Sequence, residues 1–170
     1  DLDFGSRPYH GSSGPLPIRR HPEAELLPWN VALIEAATHL GHARCDDHNA
    51  PEPLGVGPQP MNKIEGRRIS VAEAYLTPEV RARANLRIVP STLVRRVLFD
   101  GKRARGVEVS THGRVHVLHA DHVVLSGGAV STPGILLRSG IGHEDDVRAI
   151  GVEPLSHVPA VARRLLDHPG

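Results

Sequence analysis

Cysteine is almost absent from these 170 residues: Cys45 stands alone. No intramolecular disulfide can form, and a lone thiol suits a reducing compartment. With no secretory pattern visible either, the expected location is cytoplasmic. Aromatic residues make up 3%, too few for the stacking platforms that single-stranded nucleic acid needs. The formal net charge is +1, so no field draws the chain to a phosphate backbone or an anionic membrane. No apolar run approaches the ~20 residues of a membrane span. Lysine occurs only at 63 and 102, leaving arginine to supply the remaining basic charge. Also missing is a strand followed by G-x-G-x-x-G, the turn that seats a dinucleotide pyrophosphate. The nearest run, Gly55-Val56-Gly57, is followed by Pro58 with no strand before it, and reads as loop.

What is present reads as a mixed chain of helices and strands. Residues 1–30 are rich in Gly, Pro and Ser and read as loop, with a short strand near Leu16–Arg19. Val31, Ile34 and Ala37 or Thr38 recur at helical spacing, predicting a helix from Pro28 to Leu40 closed by Gly41. A Pro/Gly loop follows from Asn49 to Pro60. Ser70 and Glu73 form a capping-box pair that predicts a helix to Leu76, and Thr77-Pro78 opens another helical turn through Arg83. From Leu86 the apolar period changes to two. Leu86–Val89, Leu93–Phe99, Ala104–Ser110 and Arg114–Leu118 read as strands, with turns at Asp100-Gly101 and His112-Gly113. The last three form an antiparallel meander. Glu144–Ile150 reads as a short helix ended by Gly151, and Val152–Pro159 as extended chain.

The run Val123–Gly142 carries the most chemistry. Val123, Val124 and Leu125 have strand length, and Gly127-Gly128 lets the backbone turn sharply. Ser131 or Thr132 can cap the helix that follows, Pro133 suits its first turn, and Gly140 its exit. A strand feeding a helix through paired glycines is how nucleotide-binding sheets bring backbone to a ligand. It is no hydrolase elbow, because Ser126 lacks a glycine two positions before it. Twelve histidines raise the question of a metal. His39, His42, Cys45, Asp46, Asp47 and His48 are ligand types at short spacing. Gly41 interrupts their helix, however, and no second cluster completes a closed site, so no metal is expected. His116, His119 and His122 fall on alternating faces of a strand and read as solvated. Asp167 and His168 are neighbours held extended by Pro169, and are not read as a catalytic pair.

Gly128-Ala129, Thr132-Pro133, Ile135-Leu136 and Ser139-Gly140-Ile141-Gly142 together resemble the second signature of the glucose-methanol-choline (GMC) flavin oxidoreductases. Gly66-Arg67-Arg68-Ile69-Ser70, Ala74-Tyr75-Leu76 and Asn85-Leu86 resemble the family's segment ahead of its central strands. Phe99–Ala104 with Gly106-Val107-Glu108 resembles its hairpin. Pro159, Val161, Leu165 and Asp167-His168-Pro169 resemble its P-G-V-G-x-N-L-x-D-H-P run. The match is looser before residue 62. Ala160, Ala162 and Arg164 stand where the family usually has Gly, Gly and Asn, which makes the backbone around 160–164 the point to watch. Gly134 replaces a common Gln, and His143 a common Pro.

The resemblance implies an α/β (mixed α+β) fold, part of a GMC-type FAD-binding domain with the meander inserted in its parallel sheet, plus a segment of the substrate domain. Its implied divisions are 1–62, loop and helix partly of the substrate domain; 63–142, FAD-binding; and 143–170, a helix and link toward the substrate domain. It implies FAD as cofactor. Val94 falls where backbone groups hydrogen-bond the adenine, and Gly128 and Ala129 where small residues approach the flavin nucleotide. From the residues alone, Val94 is mid-strand core and Gly128 a turn former. The implied activity is oxidation of a small-molecule alcohol at CH–OH, with hydride passing to the flavin; no residue names the electron acceptor. The family's catalytic His lies far toward the C-terminus of a full-length enzyme, so no catalytic residue is assigned here. The chain thus reads as an internal fragment, expected to be inactive alone and to bind FAD weakly. Two other readings are a non-enzymatic module meeting a partner through an exposed sheet edge and the remnant of a degraded gene.

Overall fold

Short helices and loops fill the first 88 residues, and an antiparallel sheet dominates the rest, in a computed structural model that describes residues 1–167. The chain divides into two compact units, Asp1–Ile88 and a second from Val89 on. The divisions after 62 and after 142 concern family domains, and each falls inside one of these units.

In the first unit, α1 (Pro28–His39) begins on its proline, ends at Leu40 and is followed by Gly41 at φ +92°. Ile34 is buried, with Val31 and Ala37 half-buried on the same face, whereas Trp29, Leu33 and Leu40 are exposed. β1 (Lys63–Ile64) and β2 (Arg67–Arg68) make a minimal hairpin that the periodicity did not announce. Its turn residues Glu65 and Gly66 both have positive φ, as a type I′ turn requires. In α2 (Val71–Tyr75) the capping box is complete: Glu73 N donates to Ser70 Oγ and Ser70 N to the Glu73 carboxylate. α3 (Pro78–Arg81), capped by Thr77, stops two residues short of the expected end. The strand expected near Leu16–Arg19 amounts to a single bridge from Arg19 to Met61. Within the Pro/Gly loop, Gly57 lies so close to Cys45 that a Cβ would sit 1.8 Å from its carbonyl oxygen.

With so little regular structure, the loops of this unit are tied by charge. The Arg20 side chain is 7% exposed, and its Nη1 donates to both carboxylate oxygens of Asp1 and its Nη2 to Asp47 Oδ1 at 2.7 Å. His10 sits between the same two acids, Nδ1 2.9 Å from Asp1 Oδ2 and Nε2 2.7 Å from Asp47 Oδ2. The Phe4 ring carries the guanidinium groups of Arg7 and Arg20 at 3.7 and 4.2 Å. Burying charge without partners costs several kcal/mol or more; here Arg20, Asp1 and Asp47 each meet a partner, while the buried Arg20 Nε has no hydrogen-bond partner among the described residues.

The second unit is built on β3 (Thr92–Asp100), β4 (Arg103–Thr111) and β5 (Arg114–His119), antiparallel in the order β3-β4-β5, the expected meander. His112 and Gly113 form its second turn, both at positive φ. Two bulges shift the register: Arg95 is skipped in β3, between the pairs Val94–Val109 and Arg96–Glu108, and Arg105 in β4. α4 (Gly128–Arg138) packs on β3, and β6 (Ile141–Gly142) pairs in parallel with β7 (Ser156–His157) around α5 (Glu144–Ala149). Val97, Val109, Ile135 and Val147 form the core.

Two expected strands are corrected. Neither Leu86–Val89 nor Val123–Leu125 is a strand, and Val124 is 87% exposed. A strand exists by pairing with a neighbour, and no described strand pairs with either segment. Among the described residues the only parallel strand pair is β6 with β7, apart from an isolated parallel bridge between Arg44 and Val56.

Candidate functional site

Val94 is half-buried in β3, opposite Val109 and next to the Arg95 bulge. β3 is an edge strand of the meander, and the last turn of α4 closes that edge. Arg138 Nε donates to Arg95 O at 2.6 Å, and Val97 N donates to Ser139 Oγ at 2.8 Å. The Ser139 hydroxyl in turn donates to Ile135 O at 2.6 Å. A bulge thus presents a free carbonyl to an arginine, and a buried serine satisfies a strand N–H that has no sheet partner.

The other end of α4 is open. The helix starts at Gly128, not beyond the expected caps Ser131 and Thr132, and Pro133 lies inside it. Thr132 acts differently: its Oγ1 accepts from Gly127 N at 3.0 Å, reaching back over the first turn. Among the described residues no side chain caps the first-turn N–H groups, and Gly127, Gly128, Ala129 and Val130 are all exposed. Gly128 has φ +82°, and a Cβ there would meet nothing within 4 Å. Conformation, not crowding, therefore demands the glycine. An uncapped helix start with bare backbone can take an anionic oxygen. Val94 and Gly128-Ala129 belong to one packed unit, joined through α4, whose 11 residues span about 16 Å. No hydrogen bond links Val94 to either among the described residues.

The histidine-rich stretch disperses. His48 Nε2 lies 3.2 Å from Gly57 O, Arg44 pairs with Asp46, Cys45 is buried, and Asp47 joins the Arg20 network. No group of three or more His, Cys, Asp or Glu is placed to hold a metal among the described residues. His116 and His119 are exposed on β5. His168 and Pro169 of the Asp167-His168-Pro169 run lie outside the described residues. The Asp1–His10–Arg20–Asp47 network was not legible in sequence, because its hydrogen-bonded members sit in loops up to 37 residues apart. Burial pushes the Asp47 carboxyl up, but hydrogen bonds from His10, Asn49 N–H and Arg20 outweigh it and hold the group below the usual aspartate range.

A glycine-started, uncapped helix docked on an antiparallel meander leaves backbone N–H groups open to an anionic atom. The family model of GMC oxidoreductases matches residues 7–170, and the chain belongs to that family. It is 41% identical over 169 residues to a GMC-type oxidoreductase of Rhodococcus erythropolis, covering 99% of this chain and 34% of the relative. It is 40% identical over 167 residues to the mitochondrial choline dehydrogenase of Homo sapiens, covering 98% and 28%. Among solved structures, pyridoxine 4-oxidase from Mesorbium loti superposes with a TM-score of 0.87 at 41% identity, over 92% of this chain and 31% of that one. A protein from Chaetomium thermophilum named an FAD-dependent oxidoreductase superposes with a TM-score of 0.74 at 29% identity, over 88% and 26%. The chain spans about a third of the length of the relatives it matches. No described helix is long and apolar enough to cross a membrane.

Proposed function

We propose that this chain is the part of an FAD-dependent GMC oxidoreductase that holds the nucleotide half of the flavin, the whole protein oxidising a small-molecule alcohol at CH–OH. The observation that carries this is the left-handed Gly128 opening an exposed, uncapped helix with empty space where a side chain would be. The residues fit FAD in part. The first-turn N–H groups at Gly128 and Ala129 suit anionic or polar nucleotide atoms, and Val94, held beside the α4-clamped bulge, suits a backbone contact to the adenine. FAD supplies the hydride acceptor when bound. Binding and orientation fall to these residues, and the proton-removing base to a part of the protein beyond them. In this reading residues 1–62 belong partly to the substrate domain, 63–142 to the FAD-binding domain and 143–170 to the link between them. The chain alone does not turn over alcohol. The single cysteine supports a cytoplasmic setting.

The test is a flavin spectrum of the whole protein, native and with Gly128→Ala. A yellow native protein is expected, and a folded, colourless one overturns the reading. Because the new Cβ meets no neighbour, the substitution should cost only the left-handed strain, about 1 kcal/mol. Flavin affinity should nevertheless fall at least about tenfold, the equivalent of one lost close contact. Unchanged affinity would remove Gly128 from the site.

A further inference from the structure

Strict alternation along a strand puts residues three apart in opposite phases, one turning its backbone groups into the ladder and the other off the edge. Val94 and Val97 depart from this. Val94 lies opposite Val109 and Val97 opposite Val107, two residues apart in β4, because the Arg95 bulge takes up one residue between them. Val97 N points off the outer edge of the sheet, where it donates to Ser139 Oγ at 2.8 Å. Being in the same phase, the N–H and C=O of Val94 face off that edge too. No described residue takes either of them there. Without the bulge they would be spent on β4.

The bulge is held from two sides. Glu108, the residue opposite it, takes Arg95 Nε on one carboxylate oxygen at 3.2 Å and Arg96 Nη2 on the other at 2.9 Å. Both arginine side chains are half-exposed, so water and salt weaken these pairs. The stronger hold comes from α4. Arg138 Nε donates to the outward Arg95 carbonyl at 2.6 Å, a charge-assisted bond made directly to backbone. Gly134, one turn earlier on the helix, leaves room for that guanidinium, since a Cβ there would come within 3.2 Å of Arg138 Nη1.

We propose that Arg138 is a positioning residue for the adenine of the cofactor: acting through the Arg95 carbonyl, it fixes the bulge that turns the N–H and C=O of Val94 outward. This rests on the reading above that Val94 meets the adenine. One N–H and one C=O on the same residue match the edge of adenine, which offers a ring nitrogen as acceptor beside an amino group as donor. Hypoxanthine reverses that edge, with a ring N–H beside a carbonyl. It meets the same backbone donor to donor and acceptor to acceptor.

The test is the binding of FAD and of its hypoxanthine analogue to the whole protein stripped of flavin, followed by flavin fluorescence. The native protein should prefer FAD at least about tenfold, the effect of leaving one polar group unpaired. Arg138→Ala should weaken FAD about tenfold and leave the analogue unchanged, so that the preference disappears. Arg138→Lys keeps a cationic donor and should recover part of it. A merely structural role would weaken both ligands alike, and that outcome overturns the proposal, as does an alanine variant that keeps the native preference. A native protein with no preference would instead overturn the reading of Val94, and this inference with it.

Discussion

Ala162 is where departure from the family pattern becomes backbone physics. It stands at a usual glycine position and takes φ +60°, the left-handed region that costs other L-residues about 1–2 kcal/mol. The turn persists because Val161 N donates to Val158 O, and Arg163 binds the Asp146 carboxylate with two nitrogens at 2.8 and 2.9 Å. Ala162→Gly should therefore raise stability by about 1 kcal/mol in urea denaturation; a lowered midpoint would show that no strain is held there. Asp47 sets a pH dependence whose sign follows from its depressed folded-state value. Its contribution is fully present above the ordinary aspartate range and is lost as pH falls through the folded-state value. Stability measured from about pH 7 down to pH 3 should thus decline at the acid end. Asp47→Asn should start lower, having weakened the partner of Arg20 and His10, but decline less steeply. Parallel profiles would remove Asp47 from the acid response.

At the scale of elements, the clasp between α4 and β3 decides whether the helix is positioned. Ser139 is 8% exposed and is the acceptor for Val97 N. Ser139→Ala leaves that buried N–H without a partner, at a cost of about 1–3 kcal/mol, and Ser139→Thr should recover part of it. Hydrogen exchange at Val97 N is the direct readout, expected to accelerate in the alanine variant; unchanged protection would show that another group takes over. Sequence legibility also divides at this scale. The capping box of α2 and the glycine exit of α1 are local chemistry and were readable residue by residue. The start of α4 was misread because Thr132-Pro133 has the spelling of a helix start, whereas the hydroxyl reaches back to Gly127 and moves the start earlier. The bulges at Arg95 and Arg105 were invisible, since register belongs to a pair of strands and not to either alone.

At the scale of the molecule, the chain spans about a third of the length of the relatives it matches, and large apolar side chains stand exposed in both of its units. Val124, Val130, Trp29 and Leu33 are largely exposed, and β5 is exposed along its length. The first-turn N–H groups of α4 are present, but the glycine turn that cradles a pyrophosphate is not among these residues. The 170-residue chain should consequently bind FAD more weakly than about micromolar, the range in which several good contacts must act together. Titration followed by flavin fluorescence checks this. Saturable binding tighter than that would mean that Val94, Gly128 and Ala129 carry more of the site than their geometry indicates.

Sequence by itself determined the meander with its turns, most helix ends and the family, because these depend on spacing over a few residues or on the spelling of a long motif. Only the tertiary structure decided that Val123–Leu125 has no strand partner, that α4 clamps the edge of β3, and that His10 and Arg20 meet the same two aspartates. These depend on which distant segments pack together, and composition and periodicity along a chain carry no distance across it.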